Sequence, residues 1–99
     1  MDKQRQLVEI NNNQLVFRRN QISGITGVFN PVNVDDIESI FYSDMNSFHN
    51  KNHTMIKLCF INFQLTNNTE ISWNFPMDKI NIANIVLKQL KELLPDKVE

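Results

Sequence analysis

Short stretches in which apolar and polar residues alternate, with a period of two, occupy much of the chain before residue 76. Residues 7–10 and 14–18 flank the triplet Asn11–Asn13, and Leu15 and Phe17 are separated by one residue. This period is typical of a half-buried strand. Because asparagine adopts positive φ more readily than most residues, the triplet suits a tight turn. The pattern therefore predicts a β-hairpin here.

The segment that follows the hairpin lacks this alternation. Residues 22–31 contain both glycines of the chain and a proline, which predicts an irregular loop or a bulged strand. The two aspartates at 35–36 suit a turn that enters a strand over about 37–43, and a short helix starting at residue 35 is the alternative. The polar stretch 43–53 is expected to be the longest loop of the chain.

Residues 54–66 form the strongest predicted strand, with apolar side chains on both faces. Its even positions from 56 to 60 and its odd positions from 59 to 65 are all apolar. Such a strand is either covered on both sides or leaves an apolar patch exposed, and the sequence leaves open which face that is. We expect this surplus to contact a partner, with Cys59, Ile61 and Phe63 as candidate residues. Burial of both faces within one chain is the alternative.

A second hairpin is predicted at the end of this strand. Asn67 and Asn68 suit a turn, and residues 70–75 alternate after it, which would place Trp73 in the core.

The C-terminal segment has the period of an amphipathic helix. Pro76 ends the preceding strand, and Asp78 is placed to cap a helix that runs to about Leu94. Ile85 falls in the polar arc of this helix, so we expect it to be exposed and count it among the candidate protein-binding residues. The opposite arc is apolar and is expected to dock on the sheet: Ile82, Ala83, Val86, Leu87, Leu90, Leu93 and Leu94.

Length and composition favour one domain over residues 1–99, with an ordered core at about 7–94. The chain has 10 basic and 11 acidic side chains and a net charge of −1, so it carries no polybasic arm. The lone Cys59 cannot form an intramolecular disulfide, and no signal peptide or membrane-length apolar run is evident, so a cytoplasmic protein is expected. Its richness in Asn, Ile and Lys is typical of an AT-rich genome, such as that of a low-GC bacterium or its mobile elements.

Residue types that carry catalysis are sparse. His49 and His53 fall in the predicted polar loop, and the acidic residues at 35–38 match no calcium-loop spacing. No glycine-rich phosphate loop or nucleophile elbow occurs. We therefore expect a protein that is not an enzyme and that needs no cofactor, no metal and no small-molecule substrate.

Two segments together resemble the bacterial PH-like (pleckstrin-homology-like) domains. Asn13–Arg19 is similar to their leucine- and arginine-containing strand, and Pro31–Ile40 to the Ile-x-x-Ile pattern that follows it. The resemblance implies a curved antiparallel sheet or half-barrel plugged by one C-terminal helix. It also implies a binding scaffold for peptides, proteins or, in some members, phospholipid headgroups. The lipid-binding members carry a basic motif across the first hairpin, where this chain has Glu9 and asparagines.

Taken together, these features predict an α+β, mainly β domain in an accessory or regulatory role, which either binds a protein partner or self-associates as a homo-oligomer. The alternative is a small RNA- or other nucleic-acid-binding regulator that uses Arg5, Arg18 and Arg19 at a basic strand edge.

Overall fold

In the computed structural model, residues 6–18, 22, 25, 27–49 and 54–99 are described, with the backbone alone at 47–49 and 54–56. These residues form two antiparallel sheets and a C-terminal helix, which confirms the α+β, mainly β class. The strands are divided between two three-stranded sheets. The elements are β1 (Val8–Asn11), β2 (Gln14–Phe17), β3 (Val32–Asn33), β4 (Ile37–His49), β5 (Thr54–Leu65), β6 (Glu70–Pro76) and α1 (Ile80–Leu93).

The first sheet has the order β1-β2-β3 and begins with the predicted hairpin. Asn12 and Asn13 have φ of 53° and 62°, which are the positive values that a two-residue type I′ turn requires. Val8 pairs with Phe17 at the far end of the hairpin. The asparagine triplet therefore forms the predicted turn of the hairpin, and this turn sets the register of the first two strands.

The second sheet has the order β4-β5-β6, and its first hairpin is longer than predicted. The expectation of a loop over 43–53 is wrong for residues 43–49, because β4 continues to His49 and pairs with β5 throughout. Residues 50–53 lie outside the described residues. The apolar strand β5 needs a hydrogen-bonded neighbour along its length, and the polar residues that follow Tyr42 supply one. A 3₁₀ turn at Val34–Asp36 precedes β4. The chain therefore has the predicted turn into the strand, and this turn is itself a single short helical turn, as the alternative prediction expected.

The C-terminal helix begins later than predicted and without a side-chain cap. Asp78 lies in a 3₁₀ turn, Met77–Lys79, and makes no capping hydrogen bond to α1, so its predicted capping role is wrong. Pro76 ends β6 with extended backbone, and the 3₁₀ turn makes the change of direction that a capping residue would otherwise begin. After α1, the chain returns to the second sheet, where Val98 forms a parallel bridge with Ile40 of β4.

The core lies between the two sheets and α1. Trp73 is fully buried, as predicted, and its Nε1 donates a hydrogen bond of 2.9 Å to the carbonyl of Asn30. The ring of Phe29 lies 4.5 Å from that of Phe17 and 5.1 Å from that of Phe75, so the irregular segment before β3 closes one side of the core. The described residues of 22–31 form no strand, in agreement with the predicted loop.

Candidate interaction surface

The predicted contact residues of β5 do not form a surface. Cys59, Ile61 and Phe63 are each 0 % exposed, so their assignment as an exposed contact surface is wrong for the single chain. Ile61 pairs directly with Trp73, and Cys59 pairs with Phe75 in the same row of inward side chains. This face of the sheet is turned towards α1 and the first sheet, so the side chains at these odd positions of β5 are buried in the core.

The apolar surplus of β5 lies on its other face. Leu58 and Phe60 are half-buried there, and Leu58 pairs on one side with Met45 of β4 and on the other with Pro76 of β6. Met45 is 54 % exposed, and Pro76 is half-buried. We call Met45, Leu58, Phe60 and Pro76 the outer-face patch. It crosses all three strands of the second sheet.

A cleft lies at the β6 side of the outer-face patch. It has a volume of about 210 Å³ and is lined by Gly27, Leu58, Asn74 and Pro76. Gly27 has φ of +133°, and a Cβ atom there would lie 3.2 Å from the carbonyl oxygen of Asn74. The absence of a side chain lets the loop approach β6 closely. The cleft thus combines apolar walls with the exposed amide side chain of Asn74, a lining that suits an apolar side chain of a partner next to its polar main chain.

Two further exposed apolar residues adjoin the lining residues in sequence. Val28 follows Gly27 and is 67 % exposed, and Met77 follows Pro76 and is 46 % exposed. Methionine side chains are flexible and adapt to different partner shapes. Val28 and Met77 are thus exposed apolar residues next in sequence to the cleft lining, although neither lines the cleft itself.

A polar row bounds the outer-face patch towards the start of β6. Asn62 is 4 % exposed, and its Nδ2 donates to the Ser43 hydroxyl at 2.8 Å, while the Ser72 hydroxyl donates to its Oδ1 at 2.7 Å. This row links the three strands side by side. Because the buried amide is satisfied, its role is to order the sheet beside the patch rather than to offer a free polar group.

Ile85 is not the exposed residue that the helical projection predicts. It is half-buried and packs against the core cluster, so that prediction is wrong. The reason is the buried Gln89, whose Oε1 accepts hydrogen bonds from the backbone N–H groups of Leu7 at 2.8 Å and Val8 at 3.2 Å. The start of β1 therefore lies against the flank of α1 that carries Gln89 and Ile85, which the sequence pattern assigns to the polar arc.

The candidate nucleic-acid residues are described only in part. Arg18 Nε lies 3.8 Å from Glu9 Oε1 on the neighbouring strand, and both side chains are partly exposed. Arg5 and Arg19 lie outside the described residues. An acidic side chain thus neutralises the described arginine, which lowers its attraction for a phosphate backbone.

The other candidate chemical groups do not converge on a site among the described residues. Asp35 accepts a hydrogen bond from Asn13 Nδ2 at 2.8 Å and so ties the first turn to the entry of β4. His53 lies outside the described residues, as does the His49 side chain. The described residues contain no group of three His, Cys, Asp or Glu side chains that could hold a metal ion.

A small polar cluster at the rim of the inner face was not predicted from the sequence. A hydrogen bond with Cys59, partial burial and the neighbouring charge of Asp44 raise the pKa of Tyr42 to about 12. Lys57 Nζ lies 3.5 Å from Asp44 Oδ2. The register explains the cluster, because Asp44 is paired with Cys59 and Tyr42 lies two residues away on the same face. Only the strand pairing of residues 43–49 could have revealed it.

No family model, curated protein or solved structure matches this chain. The resemblance to PH-like domains therefore stays a prediction. No helix among the described residues is long and apolar enough to cross a membrane.

Proposed function

We propose that this protein is a non-catalytic interaction domain that binds a protein partner through its outer-face patch. The observation that carries the proposal is the row Met45–Leu58–Pro76, which places apolar side chains across three strands on the face that α1 does not cover. A contiguous apolar patch that is at least partly exposed and has a polar boundary is typical of protein contact sites.

The cleft supports a protein partner over a reacting small molecule. Leu58, Asn74, Pro76 and Gly27 supply apolar contacts and one amide, and none of them is a nucleophile or a general base. A partner side chain seated in this cleft would complete the burial of Leu58. Burial of a fully exposed leucine side chain contributes about 1.5–3 kcal/mol, and because Leu58 is already half-buried, completing its burial contributes only part of that amount to affinity.

A cytoplasmic location belongs to the same proposal. Cys59 is a free thiol in the core, where it packs as a small apolar side chain. A fold that relies on its core and on an unpaired thiol suits a reducing compartment.

The experiment that tests the proposed function is a quantitative pull-down from lysate of the native host with three forms of the tagged chain. Leu58→Gln places an amide in the cleft, whereas Ile10→Gln makes the same kind of change at an exposed position of the first sheet. Unfolding curves of all three forms establish that they are folded. A partner that resists nuclease and high salt should bind the wild type and Ile10→Gln but not Leu58→Gln.

Two results would count against the proposed function. Equal capture by Leu58→Gln and Ile10→Gln would show that the outer-face patch is not the contact. Partners that disappear after nuclease treatment would favour the nucleic-acid alternative, since binding to phosphates weakens steeply with salt and an apolar contact does not.

A further inference from the structure

The edge of the second sheet along β4 is paired only at Ile40 among the described residues, and we call the remainder the open edge. Ile40 donates its N–H to Lys97 at 2.8 Å, and its carbonyl accepts from Glu99 at 2.9 Å, so both backbone groups of Ile40 point away from β5. The β4–β5 register runs without a shift from Ser39 to His49. Because backbone groups alternate between the two sides of a strand, those of Tyr42, Asp44 and Asn46 point the same way as those of Ile40.

No described residue pairs with this edge beyond Ile40. Tyr42, Asp44 and Asn46 make no backbone hydrogen bond on that side to any residue that the structure describes, and Asp44 and Asn46 are exposed. Natural proteins protect such edges with lysine, proline, bulges or short strands. From Ser39 to His49 the strand has neither lysine nor proline, and its irregularity lies at the other end, between Ile37 and Ser39.

The charge on the edge is compatible with strand pairing. Asp44 is the one charged residue from Ser39 to His49, counting histidine as neutral, and it lies beside Lys57 of the same chain. The edge therefore presents backbone donors and acceptors with little net charge. It would accept another neutral strand with the same hydrogen-bonding pattern.

We propose that the open edge of β4 pairs antiparallel with the β4 edge of a second copy of this chain, which joins the two second sheets into one continuous sheet. Edge pairing goes beyond the proposed function, because it uses backbone groups of β4 instead of side chains on the outer face. A second copy fits because one two-fold register satisfies the edge without opposing like charges.

That register is centred on Met45, which would lie opposite Met45 of the second copy. Asp44 is then opposite Asn46 of the second copy, and each pair exchanges two backbone hydrogen bonds. A register centred on Asp44 would instead place two carboxylates face to face, which is destabilising. With Met45 at the centre, the outer-face patches of both copies become neighbours, so the dimer presents one apolar surface of twice the size.

A backbone substitution with a matched control tests this pairing. Asn46→Pro removes the outward N–H without breaking a β4–β5 hydrogen bond, and proline is tolerated where the N–H faces solvent. Asn46→Ala changes the same side chain but keeps the N–H. Analytical ultracentrifugation should show the wild type and Asn46→Ala at twice the chain mass of 11.6 kDa. Asn46→Pro should dimerise about tenfold more weakly or worse, because two inter-copy hydrogen bonds are lost.

A second variant tests the register and does not depend on the proline. Adjacent Cα atoms in a non-hydrogen-bonded antiparallel pair lie about 4.5 Å apart, which a disulfide can span. Met45→Cys should therefore form an inter-copy disulfide under mild oxidation, whereas Ile10→Cys should remain monomeric on non-reducing gels. The buried Cys59 does not compete.

Either of two outcomes would overturn the edge dimer. One is a wild type that stays monomeric at concentrations of roughly several hundred micromolar, because the dissociation constant of the dimer would then lie above that range. The other is a dimer that survives in Asn46→Pro and does not cross-link through Met45→Cys. Neither outcome touches the proposed function, which is read from partner capture by Leu58→Gln. Loss of capture in Leu58→Gln together with a monomeric wild type would keep the outer-face patch and reject the edge.

Discussion

Replacing Gln89 with leucine should destabilise the fold much more than expected for a residue in the predicted polar arc of α1. The Gln89 side chain is 5 % exposed and supplies the acceptor for the N–H groups of Leu7 and Val8, which are themselves buried. Leucine is similar in volume but offers no acceptor, so both N–H groups would remain buried and unpaired. Each unsatisfied buried group costs about 1–3 kcal/mol.

The expected loss of stability lies in the lower half of the range obtained by adding the penalties for the two unpaired N–H groups. The Leu7 hydrogen bond measures 2.8 Å and the Val8 hydrogen bond 3.2 Å, so the second is weaker. We expect Gln89→Leu to lower the free energy of unfolding by about 2–4 kcal/mol, a large part of the roughly 5–15 kcal/mol typical of a domain. Urea unfolding measures this change, and amide hydrogen exchange reports it locally at Leu7 and Val8.

A matched control separates the lost acceptor from the change in helix surface. Lys88→Leu adds the same side chain at the neighbouring exposed position of α1 and should change stability by less than about 0.5 kcal/mol. If Gln89→Leu behaved like Lys88→Leu and the Leu7 and Val8 amides kept their protection, the docking of β1 on α1 through Gln89 would be refuted.

Three further perturbations test other parts of the structure. The phenol of Tyr42, the one tyrosine of the chain, should titrate near pH 12 in ultraviolet difference spectra. Since its pKa is raised above the ordinary 10, the stability it contributes is complete below pH 10 and is lost between pH 10 and 12, and a midpoint at 10 would contradict the cluster. Gly27→Ala should cost about 1–3 kcal/mol in thermal unfolding, because its φ is strained for alanine and its Cβ would crowd the carbonyl of Asn74; an unchanged Tm would show that the loop yields freely. Trp73→Phe leaves the Asn30 carbonyl without its donor and a gap in the core, so a loss of about 2–4 kcal/mol is expected, and less than 1 kcal/mol would contradict the packing.

Local chemistry made several elements predictable from the sequence. The asparagine triplet predicted the first hairpin because positive φ is a property of individual residues, and Asn12 and Asn13 have it. The alternation of 70–75 placed Trp73 in the core for a similarly local reason. The apolar arc of α1 was correct at its centre, where Ala83, Val86 and Leu90 are buried.

Long-range pairing decided the features that the sequence did not predict. The polar sequence of residues 43–49 predicted a loop, but these residues form a strand because they pair with the backbone of β5. The helical pattern predicted that Gln89 and Ile85 are exposed, but Leu7 and Val8 donate hydrogen bonds to Gln89 from more than 80 positions away and bring the start of β1 against this flank of α1. Which face of β5 is buried depends on where the second sheet meets α1. The predicted contact residues Cys59, Ile61 and Phe63 therefore lie on the buried face.

The sequence predicted that β5 has an excess of apolar residues, but it did not predict where in the fold these residues form a surface. The sequence showed more apolar side chains on β5 than one core face absorbs. It could not show that Met45, which lay in the predicted loop, pairs with Leu58 and extends the patch to β4.

The most direct test of the outer-face patch is photo-cross-linking in cells of the native host. A benzophenone-bearing phenylalanine analogue at position 60 preserves an aromatic side chain within the patch, next to the central Leu58, and the same analogue at position 10 provides the control on the first sheet. We expect a discrete protein adduct from position 60 that is absent from position 10 and is lost in the Leu58→Gln background. Adducts of equal yield from both positions, or a nucleic-acid adduct at position 60, would contradict a protein-binding role for this face.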